Sequence, residues 1–300
     1  MTWSTMRPTS PPCSASWKAC THATSIWQDA PAPTRPDRLF WRVMNPPDYV
    51  VYEHPLNERM RMLLRVEFVL RNLHDSLGGE HIWHHRATIL HLLDLADLLT
   101  RSDLRAEVIK ELERLAGILT TMQSAPDVDR GRLQDVLDQL DGEVDRLHHL
   151  PLPFAQSLLE SDMIGQLRKR HNLALGNCDF DQPAYRWWLA RPSATRQRDL
   201  AAWSGPFVSL GNATALILGL IRQAATSAPE SAQLGFYQRS LDTAQSHQLL
   251  RILLPLGSAY YPEVSAGRHR FSIRFVRYAE VGKPQPADED VSFRLACCSL

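Results

Sequence analysis

Three hundred residues suffice for one large domain or two modest ones, and 44% hydrophobic with 22% charged residues describe a globular rather than a disordered chain. Lys plus Arg and Asp plus Glu each number 33, so bulk charge points to neither nucleic acid nor membrane, and any electrostatic site must be a local patch. The five Cys form no CxxC pair, and the adjacent Cys297 and Cys298 suit neither a disulfide nor one shared metal, which fits thiols kept reduced in the cytoplasm.

Residues 1–48 scatter Pro, Ser, Thr and Trp without periodicity and hold no continuous apolar core of the signal-peptide kind. They read as a disordered extension or as the product of an over-long gene model, with Met44 as the alternative start. Val50-Val51-Tyr52 is a short β-prone run. A helical period follows in Leu56, Met60, Leu63, Leu64, Leu70, Leu73 and Leu77, with Pro55 near its first turn and Gly78-Gly79 at its end.

A second helix is expected from about Trp83 to Leu99. A third, capped by Ser102 or Asp103, carries Leu104, Val108, Leu112, Leu115 and Leu119. Asp129 opens a fourth, with Leu133, Leu137, Leu140, Val144 and Leu147 on one side. Short helical pieces are expected around Phe154 to Leu159 and Asp162 to Arg170. The pattern changes near Gly176. Tyr185 to Leu189, aromatic and bounded by Pro183 and Pro192, reads as a strand.

Phe207 to Ala224 reads as one more, mostly buried helix. Its apolar run from Ala213 to Ile221 is too short to cross a bilayer. Strand-length runs follow at Leu234 to Gln238, Leu249 to Leu254, Tyr260 to Pro262, Arg270 to Tyr278 and Val291 to Cys297. The expected architecture is α+β: a mainly helical domain over 49–175, and over 176–298 a mainly antiparallel sheet with the 207–224 helix on one side. Residues 50–52 are a candidate additional strand of that sheet.

Period two in Arg270-Phe271-Ser272-Ile273-Arg274-Phe275 places Phe271, Ile273 and Phe275 toward the core and Arg270, Ser272 and Arg274 outward. Phe293 and Leu295 with outward Arg294 repeat the arrangement, and Arg268 and His269 precede the first run. Such a face either is an ordinary solvated one or presents guanidinium forks to carboxylates and peptide carbonyls. An Arg-rich sheet face with aromatics (Tyr185, Trp187) also leaves a nucleic-acid-binding reading open, although Phe271 and Phe275 fall on the core side.

His81, His84, His85 and His91 lie close together but lack HExxH, and read as surface or helix-start residues rather than metal ligands. No GxSxG, P-loop or dinucleotide fingerprint occurs. Asp179 and Asp181 sit where turn residues are common. Neither a catalytic site nor a cofactor is expected.

The run Tyr52-Glu53-His54-Pro55-Leu56-Asn57-Glu58-Arg59-Met60-Arg61, then Leu64-Arg65-Val66-Glu67-Phe68, resembles the ZapD family of bacterial cell-division proteins. Further matches are Lys110-Glu111-Leu112-Glu113-Arg114, Gly235-Phe236-Tyr237-Gln238, Tyr261-Pro262-Glu263-Val264-Ser265 and the Arg270 to Phe275 strand. The likeness spans Val50 through Cys298 in order. It implies a helical domain joined to a β-strand domain and a homodimer that binds the C-terminal tail of FtsZ. By bundling FtsZ filaments in the cytoplasm, such a dimer would support the division ring at midcell. It further implies that Arg270, Arg274 and Arg101 line a basic tail-binding pocket, to which the alternation of the Arg-bearing strands adds Arg268 and Arg294 as candidates. No enzymatic step, nucleic acid or membrane insertion is implied.

Overall fold

The computed structural model describes residues 48–300 except 102, 125–128, 152–154, 172–177, 179 and 243–244. The extension expected over 1–48 therefore lies, but for Asp48, outside the described residues.

Strand β1 (Tyr49–Pro55) leads into α1 (Glu58–Leu77), which starts where the Asn57 side chain accepts from the Met60 amide at 2.8 Å. Its buried Met60, Leu63, Val66, Val69 and Leu73 recur at three and four residues, as one apolar stripe requires. α2 (Ile82–Arg101) packs on it through Ile89, Leu92, Leu93 and Ala96. Asp103 caps α3 (Leu104–Thr121) and Asp129 caps α4 (Arg130–His148), each side chain accepting an amide at 3.1 Å. α3 and α4 pack together, and Arg105 of α3 donates to the carbonyl of Leu147 at the end of α4, 2.8 Å away. The short α5 (Gln156–Leu159) and α6 (Asp162–Arg170) follow.

Tyr185 to Leu189 is not a strand. It lies in α7 (Pro183–Leu189), followed by α8 (Ser193–Ser204). Pro183 occupies the first turn, where its missing N–H costs nothing, and Tyr185, Trp188 and Leu189 are buried at the i, i+3, i+4 spacing of a helix face. α9 (Phe207–Gln223) is the most apolar helix and runs against α1, α3 and α4, burying Phe207, Leu210, Ala213, Ile217, Leu218 and Ile221.

The described strands form two antiparallel sheets, not one. The first has the order β1, β4 (His247–Pro255), β8 (Val291–Ser299), β2 (Ala228–Ala232). In it Tyr52 faces Ile252 and Ile252 faces Leu295, so the run at 50–52 does join the sheet. The second has the order β3 (Phe236–Ser240), β6 (Arg270–Arg277), β5 (Tyr260–Ala266), with the two-residue β7 (Gln285–Pro286) pairing antiparallel with the end of β6.

Between the sheets lie Leu250, Ile252, Leu254, Phe271, Ile273, Phe275, Phe293 and Leu295. Phe275 and Phe293 meet across that space with ring centroids 5.0 Å apart. On its other face the first sheet gives Leu249, Ala296 and Cys298 to the helical core. β4 is thus apolar on both faces because it lies in a middle layer, helices on one side and the second sheet on the other. Cys297 and Cys298 point to opposite faces of β8, and burial pushes the Cys298 thiol up to about 11.

Glu53 and Arg251 stand opposite one another on the helix side of this sheet. Arg222 of α9 reaches both Glu53 (2.6 Å) and Glu67 of α1 (2.6 Å), while Arg251 donates to Glu53 at 3.0 Å. This ion cluster pins two helices to two strands at the layer boundary, with each carboxylate held by at least one guanidinium.

Candidate functional site

Strand β6 is the centre of the second sheet, so its alternation is fixed on both edges. Phe271, Ile273 and Phe275 are buried at 1% exposure or less, and Arg270 and Arg274 are exposed on the outer face with Ser272 between them. At about 3.3 Å per residue their Cα atoms stand roughly 13 Å apart. Opposed residues share a face, so Arg274 has Phe236 of β3 on one side and Glu263 of β5 on the other. Arg270 has Ser240 on its β3 side. Phe236 is 47% exposed, an aromatic ring left on the surface beside a guanidinium-bearing position. Arg268 and His269 are exposed in the β5–β6 turn, closed where the Gly267 amide donates to the Arg270 carbonyl at 2.9 Å.

The fold therefore brings Arg270 and Arg274 onto one surface, with Arg268 exposed in the adjoining turn, and does not bring Arg294 to it. Arg294 belongs to the first sheet and points to the helix side. There its Nε donates to Ser227 Oγ at 3.1 Å and its Nη2 to the Ser227 carbonyl at 2.5 Å. Alternation fixes a face only within one sheet, and the sequence does not display that β6 and β8 belong to different sheets. Arg101 ends α2, and its side chain lies outside the described residues.

The aromatics that suggested a single-strand platform are dispersed. Phe271 and Phe275 lie between the sheets, Tyr185 is 4% exposed in the helical core, and Trp187 is on α7 beneath Arg191, 5.1 Å from guanidinium carbon to ring centroid. His85 is buried and turned to Arg196, away from the exposed His81 and His84. Asp181 closes a turn onto Cys178 and pairs with Arg170 at 3.3 Å, while Asp179 lies outside the described residues.

One apolar groove on the helices escaped sequence reasoning. A groove of about 500 Å³ runs between α1 and α2, floored by Leu64, Val69 and Leu98 and rimmed by Arg61, Arg65 and the 56% exposed Phe68. Its acidic side is occupied from within, because Arg168 donates to Asp97 at 2.7 Å and His171 lies 3.3 Å from Asp94. Leu119, Val136 and Leu220, of α3, α4 and α9, pack against the rim of the helical core and remain partly exposed. The signal for the groove is Phe68, an apolar residue flanking the main stripe of α1, which periodicity alone assigns to neither core nor surface.

A family model described as ZapD, cell division protein, matches residues 64–274. The chain belongs to the ZapD family. It is 36% identical over 251 residues to the cell division protein ZapD of Methylococcus capsulatus, covering 84% of this chain and 98% of the relative. The relative from Coxiella burnetii is 34% identical over 253 residues, covering 84% and 98%. That from Cupriavidus taiwanensis is 33% identical over 252 residues, covering 84% and 100%. Family membership assigns the chain a role in cell division. The match takes in both helices and strands, from within α1 to Arg274 on β6. Among the described residues no single helix is long and apolar enough to cross a membrane.

Proposed function

We propose that this protein binds the C-terminal tail of FtsZ through the outer face of β6 and, as a homodimer, cross-links FtsZ filaments into bundles at midcell in the cytoplasm. The observation that carries the reading is the exposed pair Arg274 and Phe236, cross-strand partners, with Arg270 two pleat repeats away on the same face of β6. In this reading Arg270 and Arg274 hold carboxylate or carbonyl groups of the tail and Phe236 covers an apolar side chain. Mounting the guanidinium groups on a central strand lowers the entropy cost of each contact, although the tail itself must become ordered.

One tail site would only decorate a filament. Two sites related by dimer symmetry join two filaments, and the many tails along each filament raise the effective concentration for rebinding. No catalytic step enters this mechanism.

The test is low-speed pelleting with polymerised FtsZ from the same organism, with intact tails and with tails removed. Pelleting that requires the tail supports the proposal. Pelleting with both forms places the contact on the FtsZ body, and no pelleting with either, together with no binding of a tail peptide, overturns it. Salt-sensitive binding to single-stranded nucleic acid in that last case would favour the alternative use of the Arg face.

A further inference from the structure

The two edges of the second sheet are built differently. The Phe275 amide donates to the Gly235 carbonyl at 2.8 Å and its carbonyl accepts from Ala287 at 2.9 Å, so Phe275 directs both backbone groups to the β3 and β7 side. By period two, Phe271 and Ile273 do the same, and Ser272 and Arg274 direct theirs to β5. On β5, Glu263 and Ser265 therefore face β6, and Pro262 faces the open edge. A proline there offers no N–H to an incoming strand, which closes that edge to extension.

On β3 the same alternation turns Tyr237 and Arg239 toward β6 and Phe236, Gln238 and Ser240 toward the open edge. The Phe236 amide is used, donating to the Gln233 carbonyl at 2.9 Å. Among the described residues no partner strand takes the Phe236 carbonyl or the amides and carbonyls of Gln238 and Ser240, and all three residues are exposed. This edge carries no proline.

We propose that the β3 edge receives an extended acidic segment of a protein partner as an added antiparallel strand. The side chains beside the edge define the occupant. Residues of the added strand opposite Phe236 and Ser240 stand on the outer face four positions apart. The one opposite Ser240 meets a small side chain with Arg270 directly behind it, so a carboxylate there reaches across to a guanidinium. The one opposite Phe236 meets an aromatic ring backed by Arg274, which favours an apolar group. Backbone hydrogen bonds supply affinity and these two positions supply selectivity, as in other cases of strand addition. The proposal goes beyond tail binding, because it concerns the β3 backbone and holds whether or not the tail of FtsZ is the segment.

Amide hydrogen exchange of the full chain tests it with two probes: the FtsZ tail peptide, and a synthetic β-prone peptide with an Asp four residues from a Val. The expected result is protection of the Gln238 and Ser240 amides by the synthetic peptide. N-methylation of its edge-facing amides should abolish that protection, and Arg270→Glu should weaken binding at least tenfold. Protection by the tail peptide as well would make this edge the seat of the tail. Protection by the synthetic peptide alone would assign it to another acidic partner, leaving the tail site elsewhere. Unprotected Gln238 and Ser240 amides with both peptides at millimolar concentration, or binding indifferent to N-methylation, would overturn the proposal.

Discussion

The Nε of Arg196 donates to Nδ1 of His85 across 2.7 Å, and both side chains are buried. Among the described residues Arg196 makes no ion pair. Its Nη1 donates to the carbonyls of Leu189, at 2.7 Å, and Arg191, so that α8 closes the end of α7 and holds it to α2. The bond requires a neutral imidazole. Burial first, and then the neighbouring guanidinium, hold His85 below the ordinary histidine value.

Acid should therefore loosen the helical part. The unfolded chain takes up the His85 proton near pH 6.5 and the folded chain only lower, so the stability present above 6.5 is lost as pH falls below it. His54 and His91, lowered chiefly by burial, act in the same direction. Urea unfolding at pH 7.5 and 5.5 should show a smaller loss in His85→Gln, whose carbonyl accepts from Arg196 without titrating. An identical loss in both proteins would remove His85 from the account.

Replacing Arg222 by Met should be severe. Glu67, 7% exposed, loses its Arg222 partner, and Glu53 retains Arg251. Breaking a buried pair from one side costs about 3–5 kcal/mol. Chemical denaturation measures it, and a change under 1 kcal/mol would mean that water reaches these carboxylates readily.

Gly235 should resist substitution. Its φ of 71° is unfavourable for side chains, and a Cβ there would stand 2.5 Å from that of Ala287. Gly235→Ala should cost about 1–3 kcal/mol and displace β3 from β7. Full stability in that variant would show that the β2–β3 turn shifts freely.

The arginines differ in what they support. Charge reversal of Arg270 and Arg274, both exposed, should weaken binding of the FtsZ tail at least tenfold while leaving unfolding within about 1 kcal/mol of the parent, the cost coming from Glu263 opposite position 274. Arg294→Ala should do the opposite, because its guanidinium holds Ser227 at the entry to β2. Fluorescence-labelled tail peptide titrations alongside thermal melts separate the two effects. Equal affinity in the double reversal would take the tail away from β6.

The α+β class and the long helices were legible because their signals are local: Asp103 and Asp129 at caps, leucines at three and four residues, Gly78 after the first stripe. α7 was misread because seven residues carry too few periods, and aromatic content outweighed the helix spacing of Tyr185, Trp188 and Leu189. The division into two sheets was not legible at all. It depends on which strands pair across long stretches of chain, and β2, with Pro229 and Glu230 among its five residues, has little strand character of its own. At the site, the outward direction of Arg270 and Arg274 follows from alternation alone, whereas the separation of Arg294 follows from sheet membership.

β1 finds its partner late. Glu53 and Arg251, neighbours on β1 and β4, are 198 residues apart in the chain. On the ribosome the helices between them can form as they emerge, but β1 must wait, unpaired, until β4 has been synthesised. Any nascent or truncated chain that stops short of His247 exposes the β1 edge together with the helical surface that Leu249, Ala296 and Cys298 would cover. Such fragments should engage chaperones or aggregate rather than persist, so the cell obtains this division protein whole or not at all.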